Sequence, residues 1–143
     1  MPSPPNREPK RILFVCVGNS CRSQMAEVIA RALGDGRVDA WSAGSRPSGR
    51  VHPEAEASVA RRGLSLAGHR SKGLDDLPAF RWDAVVTMGC GDACPHVPAA
   101  RRLDWEVPDP VGLLPREFDA VRDGIEARVR ALVASLEEGE GIR

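Results

Sequence analysis

Apolar positions along the chain fall into two rhythms. Short continuous runs occur in "RILFV" (11–15) and "DAVVTM" (83–88). Runs of that length, rich in branched side chains, read as buried strands. "RVDAWSAG" (37–44) reads as a further strand closed by glycine, and "RRLDWEV" (101–107) as a short fourth. Elsewhere the spacing changes to three and four. Met25, Val28, Ile29, Ala32 and Leu33 follow Arg22, and Phe118, Val121, Ile125, Val129, Leu132, Val133 and Leu136 follow Arg116. Both sets mark one face of a helix. Gly34 and Gly36 are placed to end the first of these. Pro53 suits the first turn of another helix, running to Arg62 and stopped by Gly63. "DDLPAFRW" reads as a short helical or irregular connection, and "EEGEGIR" at the end is expected to fray.

Strands alternating with helices predict an α/β fold: a four-stranded parallel sheet flanked by helices on both faces. Residues 1–10 are polar and proline-rich and are expected to form a disordered tail, leaving 11–143 as a single domain. In such sheets ligands gather at the carboxyl ends of the strands. The loops after "RILFV" and "DAVVTM" lie there, and between them they carry all four cysteines, Cys16, Cys21, Cys90 and Cys94.

The first loop, "CVGNSCRS" (Cys16 to Ser23), runs from a strand end into a helix start. Helix-start N–H groups lack internal partners and, with the helix dipole, favour an anion. Val17, Gly18, Asn19, Ser20, Cys21, Arg22 and Ser23 are thus expected to form an oxyanion-binding loop. Gly18 is expected to relieve a tight turn. Asn19 tolerates left-handed backbone and can brace the loop. Arg22 presents a planar fork suited to two oxygens of a tetrahedral oxyanion. The same field favours the thiolate of Cys16, and Ser23 is placed to donate to it. The arrangement reads as a nucleophile beneath a bound oxyanion. The alternative of a four-cysteine zinc site fits poorly, because the spacings are not those of a zinc ribbon and Arg22 would crowd a cation. No metal is expected.

Composition narrows the partners. Twenty basic residues balance twenty acidic ones in 143, for a formal net charge of +0. This argues against a broad nucleic-acid or membrane surface. No apolar run approaches the ~18 residues of a membrane span, and the N-terminus lacks a secretory pattern. A cytoplasmic monomer is expected, where thiols stay reduced and four cysteines are there for chemistry.

"CVGNSCRS" resembles the phosphate-binding loop of the low-molecular-weight protein tyrosine phosphatases, and more closely that of the arsenate reductases sharing the phosphatase fold. The resemblance extends from about Arg11 to Leu136 through "CRSQMAE", "SAGSRP", "VHPEA", "GHRSK", "VVTMGCGDACP" and "DWEVPDP". Phosphatases of this kind usually have proline where this chain has Gln24, as the reductases do. The resemblance implies arsenate as substrate, with phosphate or sulfate as mimics. It implies that Cys16 attacks arsenic, Cys90 then attacks Cys16, and Cys94 attacks Cys90. In "VPDPVG" it implies that Asp109 is the general acid, where the bland reading is a turn-forming Asp and Asp104 and Glu106 are nearby alternatives. It further implies no bound cofactor but an external thiol reductant, thioredoxin or mycothiol with mycoredoxin. Some such reductases hold potassium with residues matching Asn19, Glu27 and Ser42 and an acidic residue; that last position is Lys72 here, so no potassium is expected. Cys21 is left as loop wall or fallback disulfide partner. The competing reading is a phosphatase hydrolysing aryl phosphates through a phosphocysteine at Cys16. The chain has no tyrosine, which suits a small inorganic oxyanion better than a phenyl ring. His52 and His69 read as capping or structural residues.

Overall fold

The computed structural model describes residues 8–89 and 96–141, with side chains described as far as residue 137. Four strands, β1 (Lys10–Cys16), β2 (Val38–Gly44), β3 (Trp82–Met88) and β4 (Ala99–Trp105), form one sheet in the order β2-β1-β3-β4. All three pairings are parallel. The α-helices are α1 (Arg22–Gly34), α2 (Pro53–Ala60) and α3 (Pro115–Gly141). β1 begins at Lys10, inside the segment expected to be a tail, because Lys10 pairs with Val38. Residues 1–7 lie outside the described residues.

The strand order places the loops that follow β1 and β3. β1 is central, and the chain leaves it first toward β2 and later returns to β3 on its other side. The resulting crevice opens at the carboxyl ends of β1 and β3, where Cys16 and Gly89 sit. Side chains alternate across β1. Ile12, Phe14 and Cys16 join a buried cluster with Met25 and Ile29 of α1, Val59 of α2 and Phe118, Ile125 and Val129 of α3. Leu13 and Val15 face the other way, into a smaller cluster with Val85 and Trp82. Helical cover of that second face is slight among the described residues: a 3-10 turn at Leu74–Asp76 contributes Leu74, and Phe80 follows. Phe80 packs edge-on against both Trp41 and Trp82 and lies under the Arg11 guanidinium. Truncating a fully buried ring such as Phe14 would cost roughly 3–5 kcal/mol.

Element ends follow the local chemistry. Asp35 and Gly36 both take left-handed backbone to stop α1. The side chain of His52 accepts from the N–H of Glu54 and caps α2. The end of α3 differs from expectation: the helix continues to Gly141 instead of fraying at 137. Arg37 pairs with Glu137 across the base of the sheet, which ties that turn down.

Candidate active site

Cys16 ends β1, and residues 17–21 cross to the start of α1. The carbonyls of this loop are all occupied. Those of Cys16, Val17 and Gly18 accept from the N–H groups of Ser45, Arg46 and Ser48, and that of Ser20 from His52. Ser71 also donates to Gly18 O, Gln24 to Asn19 O, and Met25 N–H to Cys21 O. The "SAGSRPSGRVHP" stretch is therefore a brace that turns the loop's carbonyls outward. The N–H groups of Val17 to Cys21 have no acceptor among the described residues. α1 adds its dipole uncompensated, since its N-cap, Cys21, makes no side-chain cap and its first turn has no acidic residue. These features together suit the loop to an anion.

The left-handed residue of the loop is Asn19, at φ 49°. Gly18 has no such φ, and a Cβ there would meet only ordinary contacts with Ser20 and Ser48. The tight turn expected of Gly18 is thus made one residue later. It is held by the Asn19 side chain, which donates to Ser23 Oγ at 2.8 Å and accepts from Lys72 N–H at 2.9 Å. Ser23 Oγ in turn lies 2.9 Å from Cys16 Sγ. Cys16, Asn19 and Ser23 are all buried.

Arg22 is also buried, and its Nη1 donates to Val107 O at 3.2 Å. Opposite stands Gly89, at φ 75°. A Cβ on Gly89 would lie 2.0 Å from Nη1 of Arg22. Gly89 is therefore a position that must stay without a side chain if Arg22 is to keep its place, and that requirement depends on the strand order.

Cys16 and Cys21 are chemically distinct. Burial pushes the Cys21 thiol up from its ordinary 9.0 to about 11, with the charges of Asp109 and Cys16 adding to the rise and a Ser20 hydrogen bond opposing it. Cys21 thus stays a thiol at neutral pH, while Cys16 Sγ lies beside the Ser23 hydroxyl. Asp109 is exposed, and its Oδ1 accepts from Val111 N–H, so a turn is what its side chain makes here. Trp105 belongs to the core, tilted against Phe14. Cys90 and Cys94 lie outside the described residues.

Behind the loop, Glu27 is buried and bonded to Ser42 and Arg31. The Lys72 ammonium reaches into the same space, 3.7 Å from Glu27 Oε1 and 3.4 Å from Ser42 Oγ. Burial lowers its pKa, opposed by the charge of Glu27. Residues placed this way do not suit a monovalent metal ion, which would face the ammonium within the same donor set. Among the described residues no group of three or more His, Cys, Asp or Glu is gathered for any metal.

The chain matches the model of the low molecular weight phosphotyrosine protein phosphatase family over residues 11–140. It belongs to that family. A glutaredoxin arsenate reductase of Synechocystis sp. is 37% identical over 130 residues, covering 89% of this chain and 98% of the relative. The solved structure of an arsenate reductase in the phosphate binding state superposes with a TM-score of 0.79 at 36% identity, covering 88% of this chain and 98% of that one. A thioredoxin-dependent arsenate reductase of Corynebacterium glutamicum gives a TM-score of 0.76 at 30% identity, covering 94% of this chain and 65% of that one. Family and fold agree with the expectation from "CVGNSCRS". No helix among the described residues is long and apolar enough to cross a membrane.

Proposed function

We propose that this chain reduces arsenate to arsenite. The observation that carries the reading is the loop between Cys16 and the buried Arg22, its carbonyls all taken up and the amides of Val17 to Cys21 left without acceptors among the described residues. Its similarity to arsenate reductases along nearly their whole length supports the choice of arsenate over a phosphate ester.

In this reading the loop amides and Arg22 bind the oxyanion, and Cys16 thiolate attacks arsenic. An As–O bond breaks, and Asp109 protonates the departing oxygen, which leaves as water. Turning from its bond with Val111 N–H would free Asp109 for that task. Cys90 thiolate then attacks Cys16 Sγ. The S–As electron pair moves onto arsenic, which falls from +5 to +3 and leaves as arsenite. Cys94 attacks Cys90, releasing Cys16 as thiolate and leaving a Cys90–Cys94 disulfide. An external thiol reductant supplies the two electrons and two protons that reopen it. Thioredoxin fits a surface dithiol exchange, and mycothiol with mycoredoxin is the other class; the enzyme acts as a cytoplasmic monomer.

The test is arsenite production with purified thioredoxin, glutaredoxin and mycothiol systems, run beside aryl phosphate hydrolysis. Turnover to arsenite with one of these systems is expected. Strong hydrolysis without arsenite would move the assignment to a phosphatase working through phosphocysteine at Cys16.

A further inference from the structure

Among the described residues, the side-chain partner of Cys16 Sγ is the Ser23 hydroxyl, and that hydroxyl has a single proton. Whether the proton points at sulfur or away from it depends on what Ser23 accepts from its other side. Asn19 Nδ2 supplies that bond at 2.8 Å. Asn19 cannot turn its amide over, because its Oδ1 accepts from Lys72 N–H, a group that can only donate. It also accepts from Gln24 Nε2 at 3.0 Å.

Gln24 is held the same way. It is fully buried on the first turn of α1. Its Nε2 faces three oxygens: Asn19 O, Asn19 Oδ1 and Arg70 O. The reverse orientation would set an amide oxygen against all three. Gln24 Oε1 is thereby fixed toward His69 Nδ1, 3.0 Å away. An amide oxygen only accepts, so the His69 proton sits on Nδ1. Burial lowers the His69 pKa, with Arg31 and Lys72 acting in the same sense and Glu27, at 3.9 Å, against it. The ring is then neutral at ordinary pH, and its single N–H is the one on Nδ1.

We propose that Gln24 is a positioning residue which, with His69 behind it, fixes a one-way chain of donors running His69 to Gln24 to Asn19 to Ser23 to Cys16. Each link donates forward, and the last aims the Ser23 proton at the Cys16 sulfur. Donor chains aligned in this way strengthen one another in a low-dielectric interior. The effect is to favour the thiolate over the thiol at the moment of attack. The inference rests on Cys16 being the nucleophile of the proposed reaction. Its test reads Cys16 alone, so it stands or falls separately from arsenate turnover.

The experiment measures the rate of Cys16 alkylation by iodoacetamide against pH in the full-length, reduced protein, with mass spectrometry resolving the Cys16 peptide. The variants are Gln24→Met, which keeps the volume without the amide, and His69→Leu and His69→Asn, of which only the Asn can donate from the Nδ1 position. Near pH 6.5 Gln24→Met is expected to react about fivefold more slowly than the parent, the effect of one lost hydrogen bond. At about pH 10, above the ordinary range of a free thiol, the two rates should converge. His69→Leu should shift the profile the same way, by about twofold near pH 6.5, with His69→Asn restoring the parent profile. A Gln24→Met profile identical to the parent's, or a uniform loss at every pH, overturns the proposal. If Gln24→Met does not fold, the His69 pair decides: a His69→Leu profile matching the parent overturns it.

Discussion

Gly89 and Arg22 compete for one volume: a single methyl group on Gly89 would stand 2.0 Å from the guanidinium that closes the anion cradle. The left-handed φ of 75° at Gly89 adds a backbone reason to the steric one. The guanidinium is held between this glycine and Val107 O, so the two strand ends β1 and β3 build one site.

Gly89→Ala is therefore expected to dislodge Arg22. Misplacement on the ångström scale costs on the order of 10²-fold in kcat/KM for arsenate. Phosphate, used as a binding probe, should weaken in step. Gly63→Ala is the control: it has a φ of 77° but nothing within 4 Å of the added carbon. It should lose about 1 kcal/mol of stability through the backbone alone and keep its activity. Equal activity in both variants would remove Arg22 from the cradle.

The two cysteines of the first loop should behave differently. Cys16→Ser is expected to abolish arsenite release, and Cys21→Ser to leave most of it. Cys21 also predicts a limit in alkali. A thiol raised from 9.0 to about 11 by burial stabilises the fold below its ordinary value, and that contribution is lost as pH rises through the folded one. Thermal melts should therefore decline between about pH 9 and pH 11, with the decline reduced in Cys21→Ala. An unchanged decline in that variant would assign it to other groups.

At the α2–α3 contact the sign reverses. Hydrogen bonds from Arg61, then from Ser58, with the charge of Arg122, hold the Asp119 carboxyl down from 3.8 to about 2. A depressed carboxyl contributes stability above its ordinary value and loses it as pH falls through the folded one. Asp119→Asn should lower the melting temperature at neutral pH and show a shallower acid decline between about pH 4 and pH 2 than the parent. Parallel acid profiles would show that the pairing contributes nothing to the fold.

Lys72 makes the matching statement for cations. Its ammonium lies 3.4 Å from Ser42 Oγ and 3.7 Å from Glu27 Oε1. Melting temperatures in matched potassium and sodium chloride series are expected to coincide. A potassium-specific rise would show that the donors admit the ion despite the ammonium.

The strands, the helices and the first loop were legible because each rests on local signals. β1, β3 and α1 follow from continuous apolar runs and a three–four spacing, and Asn19 and Ser23 from their side-chain chemistry. What escaped depends on residues far apart in the chain. His69 had no visible partner because Gln24 is 45 positions away. The role of Gly89 carried no local signal, because its contact with Arg22 appears only once β3 lies beside β1. The left-handed backbone and the brace expected of Asn19 are both found there, whereas Gly18, expected to relieve the tight turn, takes no left-handed φ because the bonds of the Asn19 amide set the turn one residue later. Cys90 and Cys94 lie outside the described residues, so their relay stands on sequence and resemblance.

The Cys16–Cys90–Cys94 relay is checked by a single turnover without reductant. Fully reduced enzyme is mixed with excess arsenate, arsenite is quantified, and disulfides are mapped by mass spectrometry. About one arsenite per chain is expected, with two thiols lost and a Cys90–Cys94 disulfide formed while Cys16 stays free. Arsenite formed with Cys90 and Cys94 both still reduced, or aryl phosphate hydrolysis with no arsenite at all, would contradict it.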